Sequence, residues 1–248
     1  MPGFPRRLSA ILSRFVRLAA QVASLEKSLL IALGLAAFGL YLFASVADEV
    51  LGKEAHGFDT MVLLAFRDPN NLADQLGPRW FEEMMRDFTA FGGFGPLTVI
   101  TLTAVGFLAL TGKRHAAAMV MLSVASGILA SSLLKWGFAR PRPDVVPHAV
   151  AVSTLSFPSG HAMLSAVVYL TLGALMARSQ SSLRVKAYLL CVAAMFTVLI
   201  GISRVYLGVH WPTDVLAGWA LGASWALVSW AVMLWLQGKG VVERPAST

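Results

Sequence analysis

The chain has 248 residues, is 57% hydrophobic and only 13% charged, and carries a formal net charge of +7. A soluble domain holds about twice that charged fraction, and the mean hydropathy of +0.69 places the chain among polytopic membrane proteins. The excess of cations is spread over turns and ends rather than gathered on one face, so no nucleic-acid partner is implied.

Residues 1–28 form a basic arm, read as cytoplasmic, that either lies on the inner leaflet or is a solvated topogenic tail. Apolar runs follow at 29–46, 96–111, 116–134, 162–177, 187–202 and 215–236, near the ~20 residues a helix needs to span a bilayer. Lipid tolerates no open sheet edge, so the fold class is all-α: a six-transmembrane-helix bundle occupying 29–236. Ser45-Val46-Ala47 has the small residues of a cleavage site, but the preceding basic and apolar regions are too long for a signal peptide.

Between the first two spans, segment 47–91 holds nine of the thirteen acidic residues. Two short amphipathic helices are expected there, split by Pro69-Asn70-Asn71 and Gly77-Pro78. One carries Phe58, Met61, Val62, Ala65 and Phe66 on one face, the other Trp80, Phe81, Met84, Met85 and Phe88. They serve either as a lid or lipid entrance or as packing caps. Twelve of the twenty cations lie before span one, between spans two and three, between four and five, and after six. The positive-inside rule makes that side cytoplasmic. Both termini, including the tail 237–248, are then inside, and segment 47–91 is extracytoplasmic in a cell (inner) membrane. Cys191 falls mid-span as a small buried residue, and Gly34, Gly39, Gly218 and Gly222 permit close helix packing within or between chains.

Three polar islands interrupt the apolar runs: Lys135 with Arg142-Pro143, Pro158-Ser159-Gly160-His161, and Ser203-Arg204 with His210 and Asp214. The topology brings these helix ends to the extracytoplasmic face, although they are up to 79 positions apart. Two of the ends are helix N-termini, which favour anions. Ser159 caps, Gly160 lets the backbone approach a ligand, and Lys135, Arg142 and Arg204 supply cations suited to phosphate. Arg140 is a fourth candidate, with lipid headgroups or solvent as its alternative partners.

Pro212 suits the first helical position, which puts Asp214 in the first turn beside His210. The carboxylate then fixes the imidazole tautomer and leaves the other nitrogen as a nucleophile, with His161 positioned to protonate a leaving oxygen. Two histidines and an aspartate also match a metal site, but three neighbouring cations favour an anion as guest, so no metal and no cofactor is expected. His56, His115 and His148 read as polar interfacial residues.

In order and internal spacing the three islands resemble the tripartite signature of the type-2 phosphatidic acid phosphatase superfamily, in its membrane branch. The resemblance implies a metal-independent lipid phosphate or pyrophosphate phosphatase. By it, His210 becomes a phosphohistidine, Asp214 orients it, and His161 is the general acid. Lys135, Arg142, Ser159, Gly160 and Arg204 bind the phosphate. The partner is then a membrane lipid bearing a phosphate or diphosphate. Phosphoryl transfer to another acceptor, and a non-catalytic lipid-phosphate binder or transporter, are the alternatives; six spans argue against the soluble haloperoxidase branch.

Overall fold

A computed structural model describes residues 4–152 and 154–242, with side chains from Lys27 onward. The cationic side chains of Arg6, Arg7, Arg14 and Arg17, and the tail beyond 242, lie outside the described residues. The helices are α1 (Phe4–Leu51), α2 (His56–Leu64), α3 (Arg79–Phe91), α4 (Phe94–Leu110), α5 (Arg114–Phe138), α6 (Gly160–Ser165), α7 (Thr171–Arg178), α8 (Leu183–Tyr206) and α9 (Pro212–Gly238). A π-helical turn, Ala166–Leu170, joins α6 to α7 into one span.

Each apolar run of the sequence falls in one of these helical spans, the run 96–111 passing the end of α4 by one residue. Among the described residues, five helical segments are long and apolar enough to cross a membrane, and six when α3 and α4 count together. With 17 residues, α4 is about 25 Å long, short of the ~30 Å hydrocarbon core. It continues from α3 through a 50° bend at Gly92-Gly93. Gly92 has no room for a side chain, because a Cβ there would lie 2.3 Å from Ile200 and 3.3 Å from His161.

The two amphipathic helices are α2 and α3, but a two-stranded antiparallel ribbon separates them, β1 (Arg67–Asp68) against β2 (Asn71–Gln75). The turn at Pro69-Asn70-Asn71 closes it: the Asp68 carboxylate accepts the Asn70 N–H and the Asn71 side chain accepts the Ala73 N–H. The expected apolar flank of α2 is divided: Val62 and Phe66 pack against the core. Phe58 and Met61 are exposed, while Asp59 and Leu63 are fully buried. At a membrane surface the apolar flank has lipid to face, so the inward side is free to carry a carboxylate.

Helix α9 runs through the middle, packed against α1, α5, α6 and α8. Three glycines allow this. A Cβ on Gly39 would meet Ser224 Oγ at 2.2 Å, one on Gly218 the Ser159 carbonyl at 2.8 Å, and one on Gly222 the Met163 carbonyl at 2.4 Å. Gly34 faces open space. Cys191 is exposed on the outside of α8 rather than buried, and the thiol is apolar enough to face lipid.

Candidate active site

One end of the bundle gathers the C-termini of α5 and α8 with the N-termini of α6 and α9. Helix α5 stops at Ala139, whose left-handed backbone (φ 47°) turns Arg140-Pro141-Arg142 across the bundle end. Ser159 caps α6, its hydroxyl accepting the Ala162 N–H at 3.5 Å. Pro212 occupies the first turn of α9, and the Asp214 carboxylate reaches back to accept the Trp211 N–H at 2.9 Å. The Ser159 N–H donates to the Asp214 carbonyl at 2.9 Å, so the starts of α6 and α9 are tied directly.

These ends surround a cavity of about 380 Å³ lined by Lys135, Arg142, Gly160, His161, Arg204 and His210, with Thr89 and Thr154 beside the arginines. Six of the eight residues singled out in the sequence therefore share one surface. The other two stand behind it: Ser159 is spent on its cap, and Asp214 is fully buried beneath His210. Three cations and no carboxylate line the space, which suits an anion. A larger cavity of about 570 Å³ at the opposite end, between α4, α5 and α7, is walled mainly by apolar side chains such as Val99, Phe107 and Leu172. It holds neither histidine nor carboxylate, so it offers room for lipid tails but no acid–base chemistry.

The imidazole of His210 has a defined tautomer. Arg142 Nη1 lies 3.2 Å from Nε2, and a guanidinium only donates, so Nε2 is the acceptor and Nδ1 carries the hydrogen. Nδ1 faces Asp214 Oδ2 at 3.3 Å and Ser156 Oγ at 3.3 Å, and the Ser156 hydroxyl donates a short hydrogen bond to the same Oδ2. Burial, reinforced by the positive charges of Arg204, Arg142 and Lys135, holds the His210 pKa well below its ordinary value. The ring is neutral, with its lone pair on the nitrogen that faces the cations.

The cations are themselves held. Lys135 Nζ donates to the Leu155 carbonyl at 2.5 Å. Arg142 donates to the carbonyl of Thr154 at 2.7 Å and its hydroxyl at 3.1 Å. Arg204 donates to Thr89 Oγ1 on α3 at 2.7 Å. Arg140 faces away from the cavity, and neither phosphate nor headgroup is its partner. Its guanidinium bridges two buried carboxylates, with Nη2 donating to Asp59 and Nη1 to Asp214, both at 2.6 Å. Pro141 accounts for the opposite directions of the two arginines. His148 bonds the Pro143 carbonyl at 2.7 Å, and His56 packs edge-on against Trp211.

A sequence profile of the PAP2 superfamily matches residues 116–237. Phosphatidylglycerophosphatase B of Bacillus subtilis is 37% identical over 147 residues, which cover 58% of this chain and 70% of that one. The chain belongs to the PAP2 superfamily. Its fold matches the crystal structure of a transmembrane PAP2-type phosphatidylglycerolphosphate phosphatase from Bacillus subtilis. The TM-score is 0.64 and the identity 28%, over 81% of this chain and 94% of that one. An undecaprenyl-diphosphatase of Sulfolobus acidocaldarius is 33% identical over 106 residues, 43% of this chain and 45% of that one. This PAP2 chain is thus a phosphate-ester hydrolase of the membrane lipid phosphatase family.

Within the PAP2 chain, four polar partners lie outside the sequence islands: Asp59, Thr89, Thr154 and Ser156. Ser156 had one available signal, its position two residues before Pro158. The others sit in segments whose pattern speaks only of amphipathicity or loop.

Proposed function

We propose that this protein is an integral-membrane, metal-independent lipid phosphate or pyrophosphate phosphatase that works through a phosphohistidine at the extracytoplasmic face. The supporting observation is the neutral His210, backed by Asp214 and Ser156 and facing a cavity lined by three cations. Among the described residues no group of three His, Cys, Asp or Glu side chains is arranged to hold a metal ion.

In the reading proposed, His210 Nε2 attacks phosphorus and Nδ1–H stays bonded to Asp214, which balances the positive charge the ring acquires. Lys135, Arg142 and Arg204, with the free N–H groups at the start of α6 beside Ser159 and Gly160, stabilise the equatorial phosphoryl oxygens. His161 gives its proton to the departing oxygen of the lipid alcohol or lipid phosphate. It then takes a proton from water, whose oxygen attacks the phosphohistidine and releases phosphate and free His210. The lipid chains lie along the apolar spans of domain 29–236, between a cytoplasmic arm 1–28 and a cytoplasmic tail 237–248.

The relatives named above favour phosphatidylglycerophosphate and polyprenyl diphosphate as first substrates to compare. The test is phosphate release by purified wild type and His210→Ala from both lipids, in excess chelator. Wild-type turnover with loss in His210→Ala is expected; equal release by both proteins would sink the mechanism.

A further inference from the structure

Asp59 belongs to no motif, yet it is fully buried and bonded to Thr213, 154 positions away. Its Oδ1 accepts the Thr213 backbone N–H at 2.9 Å. Its Oδ2 accepts the Thr213 hydroxyl at 2.7 Å and Arg140 Nη2 at 2.6 Å. Arg140 in turn donates through Nη1 to Asp214 Oδ1 at 2.6 Å and to Thr213 Oγ1 at 2.8 Å. The chain of contacts ends on His210, because the other oxygen of Asp214 faces Nδ1.

Charge explains why a second carboxylate belongs here. Arg140 alone would neutralise Asp214, and the imidazole would then face a pair of zero net charge. With Asp59 added, two carboxylates share one guanidinium, and one negative charge remains for the ring that turns positive on phosphorylation. Asp59 also fixes where that charge sits. It takes Nη2 and leaves Nη1 to Oδ1, which keeps Oδ2 for Ser156, Trp211 and His210.

We propose that Asp59 is a positioning residue for the His210 nucleophile, acting through Arg140, Thr213 and Asp214. The proposal rests on the phosphohistidine reading. It makes the extramembrane helix α2 part of the catalytic support rather than a cover. A latch between α2 and α9 with no electrostatic role is the competing account.

Asp59→Asn separates the two, because it keeps an oxygen for the Thr213 N–H and removes only the charge. The expected result is a loss of about 10²-fold in kcat with KM little changed, the size of effect that slight misplacement of a reacting group produces. Trapping of acid-labile phosphoenzyme in rapid-quench experiments should slow in the same ratio. Asp59→Glu, which restores the charge, should recover part of the rate. In Asp59→Asn/Arg140→Gln the full charge of Asp214 faces His210 again, so this double variant should be faster than Asp59→Asn alone.

Asp59→Asn that forms phosphoenzyme at the wild-type rate, or a double variant as slow as Asp59→Asn, would overturn the proposal. If Asp59→Asn does not fold, the double variant carries the test, since it restores the net charge of the wild-type Asp59–Arg140–Asp214 cluster. A double variant as inactive as His210→Ala then overturns it, and a kcat within about tenfold of wild type supports it. Absence of any phosphoenzyme in the wild type would instead remove the underlying mechanism.

Discussion

As the proposed nucleophile, His210 works against its surroundings in a specific way: it is buried, close to three cations, and must remain unprotonated to attack. Burial and positive charge both lower its pKa, so the nucleophile persists below pH 6.5. The acid limb that His210 contributes to kcat/KM is therefore expected below about pH 6.5, read from a pH–rate profile. A stability term has the same origin. The unfolded chain takes up a proton at about pH 6.5 that the native ring refuses, so stability declines as pH falls from there toward the lowered native value. His210→Gln removes this share, and the thermal midpoint should fall less steeply between about pH 7 and 5 than in wild type. Ser156 is the second test at this scale, since its hydroxyl donates to the Asp214 oxygen that faces His210. Ser156→Ala deletes a hydrogen bond to a charged group, about 1.5–3 kcal/mol. That corresponds to about 10- to 100-fold in kcat if the bond is needed in the transition state, with the phosphoenzyme still formed.

Helix α6 carries His161 and His210 stands just before α9, and glycine sets the separation of these two helices. Gly222→Ala would drive a Cβ to 2.4 Å from the Met163 carbonyl and 2.7 Å from Ala166 Cβ, both parts of the opposing helix that have little room to yield. The expected cost is about 1–3 kcal/mol, seen as a lower thermal midpoint in detergent. Activity should fall with it, because α6 and α9 move apart. Gly34→Ala, with nothing within 4 Å, should change the midpoint hardly at all. Spans, the two amphipathic helices and the gathering of Lys135, Arg142, His161, Arg204 and His210 at one end were all legible in the sequence. Apolar length, cation-rich turns and helix starts are local signals that survive whatever tertiary packing follows. Asp59 was not legible: beside Phe58 and Met61 it reads as the solvent side of an interfacial helix, and only the lipid-facing turn of α2 reverses that. The π-helical turn at Ala166–Leu170 has no composition of its own, and the inward direction of Arg140 depends on a carboxylate 81 positions away.

The whole molecule is polarised along the membrane normal. Helix N-termini, buried cations and segment 47–91 occupy one end, while the turns bearing Lys113, Arg114, Arg184 and Lys186 occupy the other. For a substrate whose tails stay in the bilayer, this polarity decides which leaflet is served, because a charged headgroup does not cross unaided. In the proposed orientation the Lys113 and Arg184 turns are cytoplasmic, because cations resist translocation, and the cavity then opens to the opposite leaflet. The arrangement is testable without any substrate. Cys191 is the single cysteine of the chain, and it faces lipid within a span, so Cys191→Ala provides a background for placed thiols. On that background Asp74→Cys, in the exposed strand β2, should react with a membrane-impermeant maleimide added outside intact cells. Lys113→Cys should react only after the membrane is opened. The reverse pattern would put the three cations and both histidines on the cytoplasmic side, and the lipid phosphates within reach would be those of the inner leaflet.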